Sequence, residues 1–290
     1  MGPTLTPTGA TLGASVTDVD LACLDETSWQ AIEAAFHEYA VLVFPDQNLS
    51  AEEQVDFARR FGAIEILTPN AELTAVPISN VDAEGTFFGE DDDITQILRG
   101  NEGWHTDSSY MPLAAKASVL SAHVVPTRDG QTEWADARAA YDALDEETRT
   151  RVAALSAYHS LYHSQAKIGH ETSGGYLSGF HGEGAPLRPL VKQHPITGRK
   201  ALYIGRHAYG IPGLSSEASE QLLDDLLAWT CQAPRVYRHA WEVGDLVIWD
   251  NRAVLHRARP YDPQEPRVMV HTRIAGDPRT ELAETDPDHR

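Results

Sequence analysis

The chain has 290 residues, 42 % hydrophobic and 23 % charged, a composition of folded globular proteins rather than of fibrous or disordered ones. Its 43 acidic residues outnumber 23 basic ones, and the formal charge of −20 argues against general binding to nucleic acid or to anionic membranes. Two cysteines, Cys23 and Cys231, make neither a disulfide framework nor a cysteine zinc site; with no basic leader and no apolar run near the roughly 20 residues of a membrane span, the expected location is cytoplasmic.

The first helix signal is Ser28 to Tyr39, where Ile32, Ala35, Phe36 and Tyr39 recur at three- and four-residue spacing. The apolar run Ala40 to Phe44 stops at Pro45 and reads as a buried strand. Ser50 and Glu53 make a capping-box pair, opening a helix with Val55, Ala58 and Phe61 on one side and Gly62 at its end. Val76 to Val81 reads as a strand. The acidic, glycine-bearing stretch 83–100 is expected to be a loop or lid. Ala117 to Val125 is a strand ended by Pro126. Asp136 to Leu155 is helical in two pieces, with Asp136 and Asp145 as caps. Leu155 to His163 alternates like an imperfect strand, and residues 169–184 read as a mobile glycine-rich loop. Arg188 to His194 and Lys200 to Ile204 flank a turn-like Pro195–Gly198, which predicts a hairpin. Ser215 or Ser216 caps a helix running to Cys231. Val236 to Trp241 and Asp245 to Trp249 flank another turn, a second expected hairpin. Arg267 to Ile274 is the last expected strand.

Neither an internal repeat nor a linker divides the chain, so residues 1–290 read as one domain. Many short strands with a few covering helices predict a barrel or double-sheet sandwich rather than a parallel βαβ fold. The glycine-rich dinucleotide and phosphate motifs are absent, as is GxSxG.

Two places invite chemistry. In WHTDSSY an extended segment turns His105 and Asp107 to the same side, so that an imidazole and a carboxylate face one ion. A third ligand from far along the chain, such as His256, completes two histidines and one carboxylate, which leaves three positions open on an octahedral ferrous ion. Zinc accepts the same atoms, and the tripeptide alone also fits a surface hydrogen-bonded pair. The second place is RVMVHTR, where Arg267, Met269, His271 and Arg273 share one face of a regular strand. That face suits a cavity that binds carboxylates, or a solvated surface pairing with acids such as Asp91 to Asp93.

Taken together, LVFPDQNLSAEEQVDFARRFG, WHTDSSYMPLAAKASVLSAHVVP, GDLVIWDNRAVLHRARPYD and PRVMVHTRIAGDP resemble the taurine and 2,4-dichlorophenoxyacetate dioxygenase family of iron(II)/2-oxoglutarate oxygenases, nearly end to end. Within it the likeness narrows to bacterial aryloxyalkanoate dioxygenases through GRHAYGIPG, CQAPRV and HSQAKIGH. The resemblance implies a double-stranded β-helix, or cupin-like jelly roll, mainly β with flanking helices. It implies His105, Asp107 and His256 as iron ligands, Arg267 and Thr132 on 2-oxoglutarate, and dioxygen as a further cosubstrate. Asn101, His207, Tyr209 and His271 fall near the substrate. Arg273 is the expected holder of the substrate carboxylate, since His271 stands where the taurine enzyme has its sulfonate arginine. Lys167 and His170 are gate candidates. The implied reaction couples decarboxylation of 2-oxoglutarate to hydroxylation beside an ether oxygen of a small anionic organic substrate, giving a phenol and a 2-oxo acid. Alkyl sulfates or sulfonates are the alternative substrates, and a non-catalytic acid-binding homologue the alternative role. A homo-oligomer is expected, with neither nucleic-acid nor membrane partner.

Overall fold

The computed structural model describes residues 2–66, 73–170, 184–286 and 288–289. Its strands are β1 (Thr4–Pro7), β2 (Ala14–Thr17), β3 (Val41–Phe44), β4 (Val76–Ser79), β5 (Ala115–Val124), β6 (Thr132–Asp136), β7 (Ser156–His159), β8 (Ala185–Pro189), β9 (Val191–Gln193), β10 (Lys200–Leu202), β11 (Ala208–Tyr209), β12 (Val236–His239), β13 (Leu246–Asp250), β14 (Val254–Ala258), β15 (Val268–Ala275) and β16 (Thr285–Asp286). Its helices are α1 (Glu26–Tyr39), α2 (Ala51–Arg59), α3 (Asp93–Gly100), α4 (Ala137–Asp142), α5 (Glu146–Ala153), α6 (Leu161–Ala166), α7 (Ser216–Thr230) and α8 (Pro278–Glu281).

The larger sheet runs β1-β2-β3-β13-β5-β15-β4, and β12-β6-β14 forms a smaller one. Val41, Val43, Val247, Trp249 and Met269 of the larger sheet pack with Trp134 and Val254 of the smaller, so the two sheets face each other across one core. The alternate residues Leu42, Phe44, Leu246 and Ile248 turn the other way, onto Ile32 and Phe36 of α1 and Phe57 of α2. A strand covered on both faces needs apolar side chains at every position, which is why VLVF reads as an unbroken run. Outside the smaller sheet, Ala140 and Tyr141 of α4 and Leu222, Leu223 and Leu226 of α7 pack with Leu255 and Ala135. Full burial of each such large side chain contributes roughly 1.5–3 kcal/mol. The result is the expected jelly roll with helices outside both layers.

Local chemistry sets the helix ends. Asp25 accepts from Ser28 N–H to start α1, and the Ser50–Glu53 box is reciprocal, each residue bonding the other's backbone. Asp136 and Asp145 cap α4 and α5, and Ser215 caps α7, as their sequence positions predict. The hairpin between β9 and β10 also forms.

Three expectations are corrected. Within 83–100, Asp93–Gly100 is helical rather than a loop; Ile94, Ile97 and Leu98 supply a helical period, and the acids before them favour the positive end of the helix dipole. Leu155 to His163 is not one strand, because Ser160 accepts from His163 N–H and starts α6. Val236–Trp241 and Asp245–Trp249 do not pair: β12 bonds β6 while β13 bonds β3 and β5. The turn between them carries the chain from one sheet to the other, which local sequence cannot distinguish from a hairpin. Of the 169–184 loop, residues 171–183 lie outside the described residues.

Candidate active site

His105 and His256 exchange two backbone hydrogen bonds, at 2.9 and 2.7 Å, in an isolated antiparallel bridge that extends the smaller sheet beyond β14. Residues paired in this way point their side chains to the same face, and the two rings lie 4.1 Å apart. Asp107 follows where the chain turns away; the next residue, Ser108, takes a left-handed φ of 52°. Asn251, at the end of β13, anchors that corner. Its carbonyl accepts from Thr106 Oγ1 at 2.7 Å, and its Oδ1 from Asp107 N–H at 3.3 Å. Its Nδ2 donates to Ser118 Oγ at 2.9 Å, and Ser118 donates on to Asp107 Oδ2 at 2.7 Å. The ligand atoms of His105, Asp107 and His256 come within 4.8 Å of one another, all three residues buried.

The protonation states suit a cation. Gly103 O, 2.7 Å from His105 Nδ1, can only accept, so the ring proton sits on Nδ1 and the Nε2 lone pair is free for an ion. Burial pushes His105 down to about 4 and His256 well below its usual range, so both imidazoles are neutral at pH 7. Burial alone would raise Asp107, but the Arg273 guanidinium above all, with a polar contact from His271, outweighs it and holds the carboxyl well below the ordinary value. Arg273 reaches Asp107 Oδ1 at 3.0 Å; the acid it meets is this one rather than Asp91 to Asp93. Glu65, half-buried nearby and accepting from Ser108 Oγ at 2.9 Å, is pushed up to about 7 by loss of solvent around its carboxyl, against the pull of Arg273.

His105 and Asp107 line a cavity of about 80 Å³ that also takes in Asn101, His207, His271 and Arg273, with Val76, Ile78, Ile97 and Leu161 as apolar walls. His207 is held by Ser164 Oγ, 2.8 Å from its Nδ1. His271 Nε2 stands 3.6 Å from Asp107 Oδ2, and its ring stacks on Trp249. Tyr209 lies elsewhere: it stacks on His163 at 4.5 Å and lines a second cavity of about 380 Å³. Lys167 borders that second cavity, paired with Glu220 at 2.6 Å, while His170 reaches Asp93 at 3.3 Å. Arg267 lines a third cavity, about 250 Å³, that shares Ile78 and Asn101 with the metal cavity. Its Nε is buried without a partner, no carboxylate pairs with it among the described residues, and burial lowers its pKa to about 10. Thr132 is buried at the start of β6, where its oxygen accepts from Trp241 N–H at 2.9 Å, leaving the hydroxyl proton for another acceptor.

Sequence reasoning missed Arg206. It borders both the metal cavity and the second cavity, bonds Ser164 O and Gln165 Oε1 at 3.0 Å each, and has no carboxylate partner among the described residues. A Cβ on Gly100 would fall 2.3 Å from its Nη1, and one on Gly103 would fall 3.1 Å from its Cδ, so the two glycines form its cradle. The trace in sequence is GRHAYG, where Arg206 stands beside His207. The donor set fits iron(II), with two neutral imidazoles and one carboxylate, and the unpartnered Arg267 fits the distal carboxylate of 2-oxoglutarate.

A second group, His37, His194 and Asp250, also brings three ligand atoms within 4.8 Å. The lone pairs of His194 and Asp250 are spent, while His37 Nδ1 is buried without a partner among the described residues. Ile196 N–H and Thr197 N–H donate to His194 Nδ1, which puts the ring proton on Nε2, 2.9 Å from Asp250 Oδ2. Arg252 closes on both oxygens of Asp250, at 2.8 and 2.7 Å.

Comparison with known proteins agrees with this geometry. The family model for "Taurine catabolism dioxygenase TauD, TfdA family" matches residues 4–273. The chain is 54 % identical over 285 residues to an (S)-phenoxypropionate/alpha-ketoglutarate-dioxygenase of Sphingobium herbicidovorans, covering 96 % of this chain and 97 % of that one. A protein of the same description from Delftia acidovorans is 52 % identical over 286 residues, with the same coverages. Among solved structures, AAD-2 in complex with Mn(II) and N-oxalylglycine superposes with a TM-score of 0.88 at 36 % identity, over 99 % of this chain and 100 % of that one.

Proposed function

From the premise that the chain belongs to the TauD, TfdA dioxygenase family, we propose that it is an iron(II)- and 2-oxoglutarate-dependent dioxygenase that cleaves small aryloxyalkanoates to a phenol and a 2-oxo acid. The observation that carries this reading is a buried His–Asp–His set with one arginine in its own cavity and another in the adjoining one, both lacking a carboxylate partner among the described residues, one for each of two anions. The relatives described as (S)-phenoxypropionate dioxygenases support the substrate class.

Iron(II), bound by His105, Asp107 and His256 together with 2-oxoglutarate, supplies the activation of dioxygen. The chain supplies position and charge. Arg267 takes the distal carboxylate of 2-oxoglutarate, with the Thr132 hydroxyl proton as a second donor. Arg206, rather than Arg273, takes the substrate carboxylate, because Asp107 already neutralises Arg273. Arg273 instead holds that aspartate in place, and Val76, Ile78, Ile97 and Leu161 receive the aryl ring. Asn101, shared by the metal and Arg267 cavities, lies between the two anions. Closing such a site against water strengthens these charge contacts and holds the target carbon near the metal.

Succinate and phenol measured separately test this, with aryloxyacetates, both phenoxypropionate enantiomers, an alkyl sulfate and taurine as substrates. Phenol matching succinate with the aryloxy acids is expected; release driven only by the sulfate or by taurine rejects the substrate class. Arg206→Leu is expected to raise the phenoxy-acid KM sharply, by loss of a charge-assisted contact of about 2–5 kcal/mol, while 2-oxoglutarate affinity holds. If Arg273→Leu has that effect and Arg206→Leu does not, the two arginines exchange roles.

A further inference from the structure

Across β12, β6 and β14, Tyr237 stands opposite Trp134, and Trp134 opposite His256. Side chains directly opposite on one face of a sheet touch, and here the contacts run through rings. The His256 ring lies 4.7 Å from Trp249, Trp249 lies 5.7 Å from Trp134, and Trp134 stacks on Tyr237 at 6.0 Å with 19° between the planes. Both tryptophans are fully buried, while Tyr237 is partly exposed. The outer end carries a proton acceptor: Tyr237 Oη is 3.3 Å from His239 Nδ1, and His239 Nε2 is 2.8 Å from Asp245 Oδ2. A carboxylate can only accept, so His239 keeps its proton on Nε2 and offers the Nδ1 lone pair to the phenol. Packing accounts for tryptophans in a core. It does not account for a row that starts on a metal-ligand ring and ends on a phenol hydrogen-bonded to a histidine–aspartate pair.

We propose that this row is an escape route for an oxidising equivalent left on the metal when dioxygen is consumed with no substrate in place; it rests on the dioxygenase reading above. 2-Oxoglutarate supplies two of the four electrons that dioxygen takes up and receives one of its oxygen atoms, so in each of two successive passages Tyr237 gives up one electron, relayed through Trp134 and Trp249 to the oxidised metal, and passes its phenolic proton to His239 Nδ1, while two solvent protons carry the second oxygen atom away as water. A small external reductant of the thiol or ascorbate class returns the electron, and His239 returns the proton, restoring the tyrosine. The residues around the metal are thereby spared oxidation.

The test loads the full chain with iron(II) and 2-oxoglutarate, admits air without substrate, and follows succinate, the paramagnetic resonance of freeze-quenched samples and peptide oxidation by mass spectrometry. A tyrosine-radical signal is expected in the unaltered protein. Tyr237→Phe keeps the ring and is expected to lose that signal, to shift oxidation onto residues lining the metal cavity and to lose activity faster, with substrate-coupled turnover unchanged. Trp134→Phe is expected to lose the signal although the Tyr237 phenol remains. If circular dichroism shows Trp134→Phe to be misfolded, Tyr237→Phe decides alone. An undiminished radical in Tyr237→Phe, or self-inactivation at the unaltered rate, overturns the route. Succinate without any radical overturns the route alone, whereas no succinate with any substrate overturns the dioxygenase reading as well.

Discussion

His105, Asp107 and His256 on one side, and His37, His194 and Asp250 on the other, present the same three side-chain types within the same 4.8 Å. What separates them is where their protons and lone pairs go. At the first, a backbone carbonyl fixes the His105 proton away from the common point, and Asp107 keeps capacity on both oxygens beyond Ser118 and Arg273. At the second, two backbone N–H groups turn the His194 proton toward Asp250, whose four acceptor positions are filled by that proton, the Arg252 backbone N–H and both arms of the Arg252 fork. The first is arranged to receive a cation. The second already holds one, the guanidinium of Arg252, and works as a buried brace between α1, the β9–β10 hairpin and β13. Three ligand-type residues in proximity are therefore a weak sign of a metal until each hydrogen bond is assigned.

The sharpest way to break this contrast is His256→Ala, which is expected to bring substrate-dependent succinate formation to background while the thermal melt of the metal-free protein stays near the unaltered one. Turnover that survives rejects the triad. Asp250→Asn is expected to do the reverse, leaving specific activity of the folded protein intact but costing about 3–5 kcal/mol in a urea titration, because it breaks a buried ion pair. Metal titration without oxygen should find one equivalent bound in both the unaltered chain and Asp250→Asn; a second equivalent lost with Asp250 would make the brace a metal site after all. Ser118→Ala removes the hydrogen bond that orients Asp107 together with the one Ser118 accepts from Asn251 Nδ2, and metal affinity is expected to fall about 10–100-fold. The mildest probe is pH. Arg252 and His194 outweigh the burial that would raise Asp250, so its folded pKa lies below the unfolded value of about 3.9. Its contribution is present above that value and lost as pH falls below it. The stability gap between the unaltered chain and Asp250→Asn should therefore narrow only below about pH 4; a gap that closes nearer neutrality assigns the brace to another group.

The parts of the molecule that were legible in sequence were those decided locally. Ser50 with Glu53, Asp136, Asp145 and Ser215 announce helix starts because a cap acts within three residues. Arg267, Met269, His271 and Arg273 do share the inner face of β15 and the residue before it, because strand alternation is local too. The stretch 83–100 was misread because acids and glycines on either side hid the short apolar period of α3. The turn after β12 gave no hint of which sheet each neighbour joins, since that choice is made by β6 and β3, far away in sequence. Tyr209 and His207, two residues apart, part company because the backbone between them pairs with β7 and carries Tyr209 into the second cavity. Arg206 was invisible for a related reason: what aims it is the space left by Gly100 and Gly103 on another segment.

The bridge between His105 and His256 ties together segments that lie more than half the chain apart, and no shorter loop brings the two imidazoles near each other. The metal-binding geometry therefore exists only after a strongly non-local closure has formed, a slow kind of contact for a chain to reach. Any ion that prefers the closed site to the open chain must, by mass action, stabilise the closed jelly roll. Iron scarcity would then act on this protein twice, by idling the enzyme and by removing the clasp between these two distant segments, so that metal supply bears on the stability of each molecule as well as on how fast it works.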